Sequence, residues 1–154
     1  MTLIRISPAD LDVELALAYA TPDNITGKAI YRHPACWLHA DAVAALARAV
    51  VLAAELGLKF RIFDAYRPVE TQWVLWRHNP NPDFLTDPRR GSPHSRGIAI
   101  DLTLLRRADG TMLDMGTPFD DFSERAFHNC ETLGAESRRN RYLLLGLKNL
   151  RKLI

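Results

Sequence analysis

One segment of the chain reads Ser92-Pro93-His94-Ser95-Arg96-Gly97-Ile98-Ala99-Ile100-Asp101, and in it a loop gives way to alternating apolar residues. Apolar side chains recur at every second position from Ile98, a period typical of a strand with one face in the core. Asp101 would then lie on the opposite face, in a cleft or on the surface. His94 precedes the predicted strand, and Gly97 allows the backbone to bend until the His94 and Asp101 side chains meet.

An imidazole nitrogen and a carboxylate oxygen are both suitable zinc ligands, so His94 and Asp101 are candidate metal ligands. One His and one Asp seven residues apart are also compatible with a hydrogen-bonded pair. Taken by themselves, these two residues favour the hydrogen-bonded pair over a metal site.

The segments before this one alternate between helical and strand periods. Residues 41–56 carry apolar side chains at a spacing near 3.6 and are followed by Gly57, which predicts a helix with a C-terminal stop. Residues 58–63 read as a strand. Pro68 fits the first turn of a second helix, in which Val69, Trp73 and Trp76 share one face and predict its buried side.

The remaining segments complete an α+β pattern. Residues 13–19 alternate as a strand, residues 79–93 read as a long proline-rich loop, and Asp109-Gly110 predicts a hairpin turn with a returning strand over residues 112–115. The apolar residues Leu143, Leu147, Leu150 and Ile154 predict a final helix. We therefore expect one domain over residues 1–154, with a small antiparallel sheet and flanking helices.

Composition excludes several classes of protein. The chain has 154 residues, 47% apolar and 25% charged, which is typical of a globular domain rather than of a disordered or fibrous chain. No apolar run reaches the length of a membrane span, and no secretory signal is visible, so a cytoplasmic protein is expected. The two cysteines, Cys36 and Cys130, are too few and too far apart for a disulfide framework, and we expect both to be buried.

Charge is unevenly distributed along the chain. All acidic residues lie at or before Glu136, whereas the segment beyond it carries Arg138, Arg139, Arg141, Lys148, Arg151 and Lys152. A basic segment can bind nucleic acid or a membrane surface, but a solvated helix face is the simpler interpretation. No aromatic–basic platform accompanies it, so no nucleic-acid partner is predicted.

The pattern S-x-H-x-x-G-x-A-x-D over residues 92–101 resembles the zinc-site signature of the VanX-type D-alanyl-D-alanine dipeptidases and related D,D-peptidases. Three further blocks are similar in the same order: residues 23–31, residues 64–68, and residues 113–116 together with 119–120. The resemblance implies a D,D-peptidase-like fold and zinc-dependent hydrolysis of a small dipeptide, D-alanyl-D-alanine. It also implies a role in cell-wall precursor metabolism or in glycopeptide resistance.

The resemblance assigns roles to individual residues. His94 and Asp101 would be two of three zinc ligands, and Arg67 would stabilise the oxyanion formed on the scissile carbonyl. Asp120 and Ser92 are candidates for holding the ends of the substrate, the Asp120 carboxylate being suited to an ammonium group.

Neighbouring residues leave alternatives open. Asp121 offers the same chemistry as Asp120, and Ser95 the same as Ser92. An ordinary surface ion pair of Arg67 with Asp64 or Glu70 is the alternative to its catalytic role.

One element of the family pattern is missing. The family carries a later strand with E-x-x-H, whose Glu is the general base and whose His is the third ligand, and no such spacing follows Asp101. His128 is the only histidine beyond the motif, and the nearest Glu before it, Glu124, lies four residues away. We therefore expect a C-terminally truncated dipeptidase domain of doubtful activity. The alternatives are a D,D-carboxypeptidase acting on longer wall peptides and an inactive, vestigial or binding member of the family.

Overall fold

The structure is a computed structural model that describes residues 1–149. Along the chain the elements are strand β1 (Leu3–Ile6), strand β2 (Val13–Leu15), strand β3 (Cys36–His39), helix α1 (Ala40–Glu55), strand β4 (Leu58–Asp64), helix α2 (Val69–His78), strand β5 (Asp101–Arg106) and helix α3 (Ala135–Asn149). The strands form two small sheets with antiparallel pairs, and the helices flank them, which confirms the predicted α+β class.

The strands form two small sheets. β1 pairs with β3 in antiparallel fashion, and the other sheet has the order β2-β4-β5. β5 runs antiparallel to β4, whereas β2 runs parallel to β4, so this sheet is mixed rather than wholly antiparallel as expected. The parallel pair is possible because α1 and its flanking segments provide the long crossover connection that such a pair requires.

Helix α1 and strand β4 build the main core, and both lie within a residue or two of their predicted bounds. Leu46 and Ala49 of α1 pack in the same cluster as Phe60 and Ile62 of β4, and all four are fully buried. Gly57 adopts a left-handed φ of +70° directly after the helix, as a C-terminal stop requires. Each buried large apolar side chain contributes about 1.5–3 kcal/mol to folding.

The predicted strand around Ile98 is wrong in its first half, because the chain turns there before β5 begins. Residues His94–Arg96 form a short 3-10 turn, Gly97 follows with φ +70°, and the N–H of Ile98 donates to the carbonyl of Pro93 at 3.1 Å. β5 therefore begins at Asp101. The turn brings His94 back toward the first residue of the strand.

Two other predicted strands are shorter than expected. The segment predicted over residues 13–19 ends as a strand at Leu15, and the 3-10 turn Ala18–Ala20 then buries Tyr19. Gly110 makes the predicted turn with φ +71°, but the returning segment contributes a single bridge, between Met112 and Leu105.

Helix α2 forms where predicted but buries a different face. Thr71, Gln72 and Leu75 are buried, whereas Trp73 and Trp76 are only half-buried, so the face predicted from the tryptophans is wrong. Gln72 is turned inward because it bonds to a buried arginine, as described below. No hydrophobic pattern signals such a contact.

The C-terminal helix forms as α3, with Leu147 buried and Leu143 half-buried, while the predicted positions Leu150 and Ile154 lie outside the described residues. Cys36 is buried as expected and Cys130 is half-buried, so the expectation fails for the latter. No helix within residues 1–149 is long and apolar enough to cross a membrane.

Candidate active site

The site lies where β4 ends and β5 begins. Asp64, the last residue of β4, faces Asp101, the first residue of β5, across an irregularity in the strand register. The backbone N–H of Arg67 donates to the carbonyl of His94 at 3.1 Å, which holds the loop after β4 against the 3-10 turn. These contacts bring together the side chains of four residues: Asp64, Arg67, His94 and Asp101.

The imidazole ring of His94 faces the Asp101 carboxylate through one of its two nitrogens. His94 Nδ1 lies 2.8 Å from the carbonyl oxygen of Ala65, and Nε2 lies 3.5 Å from Asp101 Oδ1. Burial lowers the pKa of His94, but the carboxylate of Asp101 outweighs it and leaves the pKa raised. Burial opposes ionisation of Asp101 as well, yet the adjacent His94 lowers its pKa to about 2.

Arg67 is buried, with a side chain only 4% exposed, and each guanidinium nitrogen has a partner. Nε donates to Asp64 Oδ2 at 2.8 Å, Nη1 donates to Gln72 Oε1 at 2.9 Å, and Nη2 donates to Asp101 Oδ2 at 3.3 Å. The guanidinium carbon also lies 5.1 Å from the centre of the Tyr19 ring. Although burial disfavours the cation, Asp64 and Asp101 raise the pKa of Arg67, so its charge is permanent.

The ion pair with Asp64 that sequence analysis considered as an alternative does form, but in the interior rather than on the surface. Among the described residues Glu70 is not a partner of Arg67. The ion pair therefore positions a buried cation beside His94 and Asp101.

Three residues could supply metal ligands. One ligand atom from each of Asp64, His94 and Asp101 lies within 4.8 Å of the others. The Asp64 oxygens are already taken, because Oδ1 accepts from the Tyr31 hydroxyl at 2.7 Å and Oδ2 accepts from Arg67. His94 Nε2 and Asp101 Oδ1 are a nitrogen and an oxygen of the kinds zinc binds, so these two residues fit the metal.

Asp120 and Ser92 line a cavity of about 450 Å³ together with Arg67, His94 and Asp101. The structure thus places all five predicted site residues around one space. The Ser92 hydroxyl, itself buried, accepts from the backbone N–H of His94 at 3.2 Å.

Asp120 is held on the wall of this cavity by two neighbours. Its oxygens accept from the Tyr19 hydroxyl at 3.0 and 3.1 Å, and Oδ2 also accepts from the N–H of Ile25 at 3.4 Å. Burial raises the pKa of Asp120 to about 6, although both hydrogen bonds favour the ionised form. Its φ of 59° is left-handed, a conformation seldom adopted by a non-glycine residue.

The neighbouring alternatives differ in their contacts. Asp121 also lines the cavity of about 450 Å³, but its carboxylate accepts from the N–H of Ser123 at 2.7 Å and so completes a local turn. The Ser95 hydroxyl is buried without a hydrogen-bond partner among residues 1–149.

His128 and Glu124 do not join the metal-type group found within the described residues. His128 instead lines a larger cavity of about 1030 Å³, which Asp101 also borders together with Arg141 and Lys148. Burial and these two cations lower the pKa of His128.

Sequence reasoning missed three side chains that support the site. Tyr19 and Tyr31 bond to Asp120 and Asp64, and Gln72 bonds to Arg67. Tyr31 lies in a block already similar to the family, so its position was a usable signal. Nothing in the pattern of α2 separates Gln72 from a solvent-facing glutamine.

Fold and site together define a class of protein. A small α+β domain with a His–Asp pair that could hold a metal, a buried arginine and a further carboxylate around one cavity resembles the site of a metal-dependent hydrolase.

Comparison with known proteins places the chain within that class. Residues 3–150 match the family model described as D-ala-D-ala dipeptidase, and the chain belongs to this family. It is 48% identical to a D-alanyl-D-alanine dipeptidase of Escherichia coli over 133 residues, which are 86% of this chain and 68% of the relative. It is 33% identical to the enzyme of that name from Enterococcus faecium, over 80% of this chain and 71% of the relative. The Streptomyces coelicolor dipeptidase is 32% identical, over 81% and 72%.

Proposed function

We propose that this chain carries the active site of a zinc-dependent D-alanyl-D-alanine dipeptidase. The observation that carries the proposal is the single cavity lined by His94, Asp101, Arg67 and Asp120. The family match and the names of the relatives supply the substrate. The same match supports a role in cell-wall precursor metabolism.

His94 and Asp101 would hold the zinc ion. When bound, zinc supplies a Lewis acid that polarises the peptide carbonyl and lowers the pKa of water. The hydrogen bond from His94 Nδ1 to Ala65 fixes the ring so that Nε2 is the ligand atom. The low pKa of Asp101 keeps its carboxylate ionised at neutral pH.

Arg67 would stabilise the negative charge that develops on the carbonyl oxygen. A fixed cation in a buried site acts strongly because no solvent screens it and no reorganisation is needed during the reaction. The contacts with Asp64 and Gln72 hold the guanidinium in place before substrate arrives. Arg67 therefore has the charge and the rigidity that this role requires.

Asp120 would bind the ammonium group of the dipeptide. Its carboxylate ionises near pH 6, and an ammonium group beside it favours the ionised form. Tyr19 and the N–H of Ile25 orient the carboxylate. Ser92 lies at the same cavity, near His94, and is the candidate for the other end of the substrate.

We place the general base and the third ligand outside the groups that residues 1–149 bring to this site. No E-x-x-H spacing follows Asp101 in the 154 residues, and the metal-type group in the described part of the chain adds only Asp64. The cavity of about 1030 Å³ beside Asp101 offers room for a further segment that carries both residues. Loss of a general base lowers rate by about 10²- to 10⁴-fold, so the chain by itself should turn over slowly.

The size of the smaller cavity fits a dipeptide. A cavity of about 450 Å³ is near the small end of ligand pockets, which range over about 300–1,000 Å³. The D,D-carboxypeptidase alternative needs an open cleft for the rest of the peptide. The alternative of a non-catalytic binding member makes a different prediction. Such a protein would bind the dipeptide but would not hydrolyse it, even when a general base is supplied.

Calorimetric titration of the zinc-saturated chain with D-alanyl-D-alanine tests the proposal. We expect D-alanyl-D-alanine to bind at least about tenfold more tightly than L-alanyl-L-alanine or a pentapeptide that ends in D-alanyl-D-alanine. The site would leave polar groups of the L-isomer unpaired, and it would exclude the additional residues of the pentapeptide. Asp120→Asn should weaken dipeptide binding more than Asp121→Asn does, because Ser123 already occupies the Asp121 carboxylate. Equal or tighter binding of the pentapeptide would support the carboxypeptidase alternative, and failure to bind either peptide would refute both.

A further inference from the structure

Gln72 is a buried polar side chain to which the reaction itself gives no role. It lies in α2, is 1% exposed, and uses both ends of its amide. Its oxygen accepts from Arg67 Nη1 at 2.9 Å, and its NH₂ group donates to the carbonyl oxygen of Thr86 at 2.7 Å. One side chain therefore joins the buried arginine to the long loop over residues 79–93.

This loop forms part of the wall of the smaller cavity. Phe84, Leu85 and Thr86 line the cavity from the loop, and Leu85 is buried against Leu75 of α2. Arg67 lines the same cavity from the other side of Gln72. The position of the loop and the direction of the guanidinium are thus linked through a single amide.

The chemistry of an amide suits this link better than that of any other side chain of similar size. Its oxygen is a neutral acceptor, so it orients Arg67 without adding a second buried carboxylate beside Asp64 and Asp101. Its NH₂ group is a donor, which the Thr86 carbonyl requires. A buried polar group with both ends satisfied makes the local structure rigid.

We propose that Gln72 is a positioning residue that fixes the Arg67 guanidinium and couples it to the loop over residues 79–93. The inference rests on the proposed function, because the coupling matters for catalysis only if Arg67 stabilises the oxyanion. Asp64 holds Nε, while Gln72 holds Nη1 at 2.9 Å and Asp101 holds Nη2 at 3.3 Å, and the last two contacts oppose rotation about the Nε–Cζ bond. Loss of the Gln72 contact removes the shorter of these two and makes that rotation faster, although the contacts with Asp64 and Asp101 remain.

Arginine side-chain NMR on the metal-free, substrate-free protein tests the coupling, with Gln72→Met as the main variant. Methionine keeps the length of the side chain and removes both hydrogen bonds. We expect the rotation of the Arg67 guanidinium to accelerate by about tenfold or more, the scale of losing a hydrogen bond to a charged group. The Thr86 amide signals should shift as well. Thr71→Ala, which alters the buried neighbour in the same helix, should leave both signals unchanged.

Gln72→Glu separates the two halves of the link and serves if the methionine variant does not fold. Glutamate keeps an acceptor for Arg67 but cannot donate to Thr86, so Arg67 should stay ordered while the loop signals around Thr86 shift. Unchanged Arg67 rotation in folded Gln72→Met, or unchanged loop signals in Gln72→Glu, would overturn the inference. These measurements need no substrate, so their failure is distinct from failure of the proposed dipeptidase function.

Discussion

Hydrogen bonds to neighbouring groups decide which atoms of the site's side chains remain available to a ligand. The Ala65 carbonyl takes one ring nitrogen of His94 and leaves Nε2 facing Asp101. Tyr31 and Arg67 take the oxygens of Asp64, which separates this carboxylate from the two ligand candidates. The division of roles follows from hydrogen bonding rather than from residue type.

Zinc binding should depend on His94. With His94→Ala only Asp101 remains of the fitting pair, and metal affinity falls with the number of ligands, so we expect a loss of about tenfold or more. Competitive titration with a fluorescent zinc chelator measures the change. His128→Ala is the matched control and should bind zinc as the parent does. Equal affinity in the His94 variant would remove the metal-site assignment.

Asp120 should make stability depend on pH. Its pKa rises from 3.8 to about 6 on folding, so between these values the folded state binds more protons than the unfolded state. The free energy of unfolding should therefore fall as pH rises from 4 to 7, by about 1–3 kcal/mol relative to Asp120→Asn, in which the group is absent. Denaturant titrations of both proteins at the two pH values measure the difference. A difference that does not vary with pH would show that Asp120 ionises as in the unfolded chain.

At the scale of elements, the turn before β5 is what brings the ligand pair together. A strand running through residues 98–101 would have kept His94 distant from Asp101. The left-handed Gly97 instead ends the 3-10 turn and lies against β3, where its carbonyl accepts from the N–H of His39 at 2.8 Å.

Gly97 should therefore be hard to replace. A Cβ at this position would lie 2.7 Å from Leu3 Cδ2 and 3.1 Å from the backbone nitrogen of His39, in addition to the strain of φ +70°. We expect Gly97→Ala to lower the free energy of unfolding by about 2–4 kcal/mol, since strain and overpacking add. Gly110 also has a left-handed φ, of +71°, but nothing lies within 4 Å of the Cβ that Gly110→Ala would add. Strain alone should therefore lower the free energy of unfolding by about 1 kcal/mol in this variant. Denaturant titrations measure both variants, and equal losses of unfolding free energy would contradict the close approach of Gly97 to Leu3 and His39.

Helix α1 and strand β4 could be predicted from sequence because each is specified by its own hydrophobic period. β1 and β3 could not, because their pairing joins Ile6 to Cys36 across a distance that no local pattern reports. The turn at Gly97 was not predicted for a similar reason. The alternating apolar pattern indicated a strand, and no local pattern reports the contact of Gly97 with β3.

The site divides in the same way. The motif and its similar blocks predicted that His94, Asp101, Arg67, Asp120 and Ser92 belong together, and the structure places them around one cavity. Gln72 was not predicted because its burial depends on a buried cation. Both of its partners, Arg67 and the Thr86 carbonyl, come from segments outside α2, and no local pattern reports them.

At the scale of the whole molecule, Arg141 ties α3 to the segment that carries Asp120. Its guanidinium donates to the carbonyl oxygens of Met115, Arg125 and Phe127, and to the Thr117 hydroxyl, at 2.6–3.1 Å. A single buried side chain thus binds three backbone carbonyls of the segment over residues 115–128, which forms one wall of the larger cavity.

Removal of this arginine should loosen that wall. Arg141→Met leaves three carbonyl groups without their donor, and we expect the free energy of unfolding to fall by about 3–5 kcal/mol. The exposed Arg139 in the same helix is the matched control, and Arg139→Met should change stability by less than about 0.5 kcal/mol. Thermal and denaturant unfolding of both variants compare the two effects. Similar stabilities would show that α3 is held by its apolar contacts alone.

We propose that His94, Asp101 and Arg67 belong to one dipeptidase site, and that turnover there requires a general base and a third ligand beyond those that the described residues bring together. Hydrolysis of D-alanyl-D-alanine in zinc, by the 154-residue chain and by the chain extended with a family-type E-x-x-H segment, tests this claim most directly. We predict little or no turnover by the chain alone and restored turnover in the extended chain. In the extended chain, Arg67→Ala should lower kcat far more than it raises KM, because oxyanion contacts strengthen in the transition state. Robust hydrolysis by the chain alone, with its mass confirmed, would contradict the account.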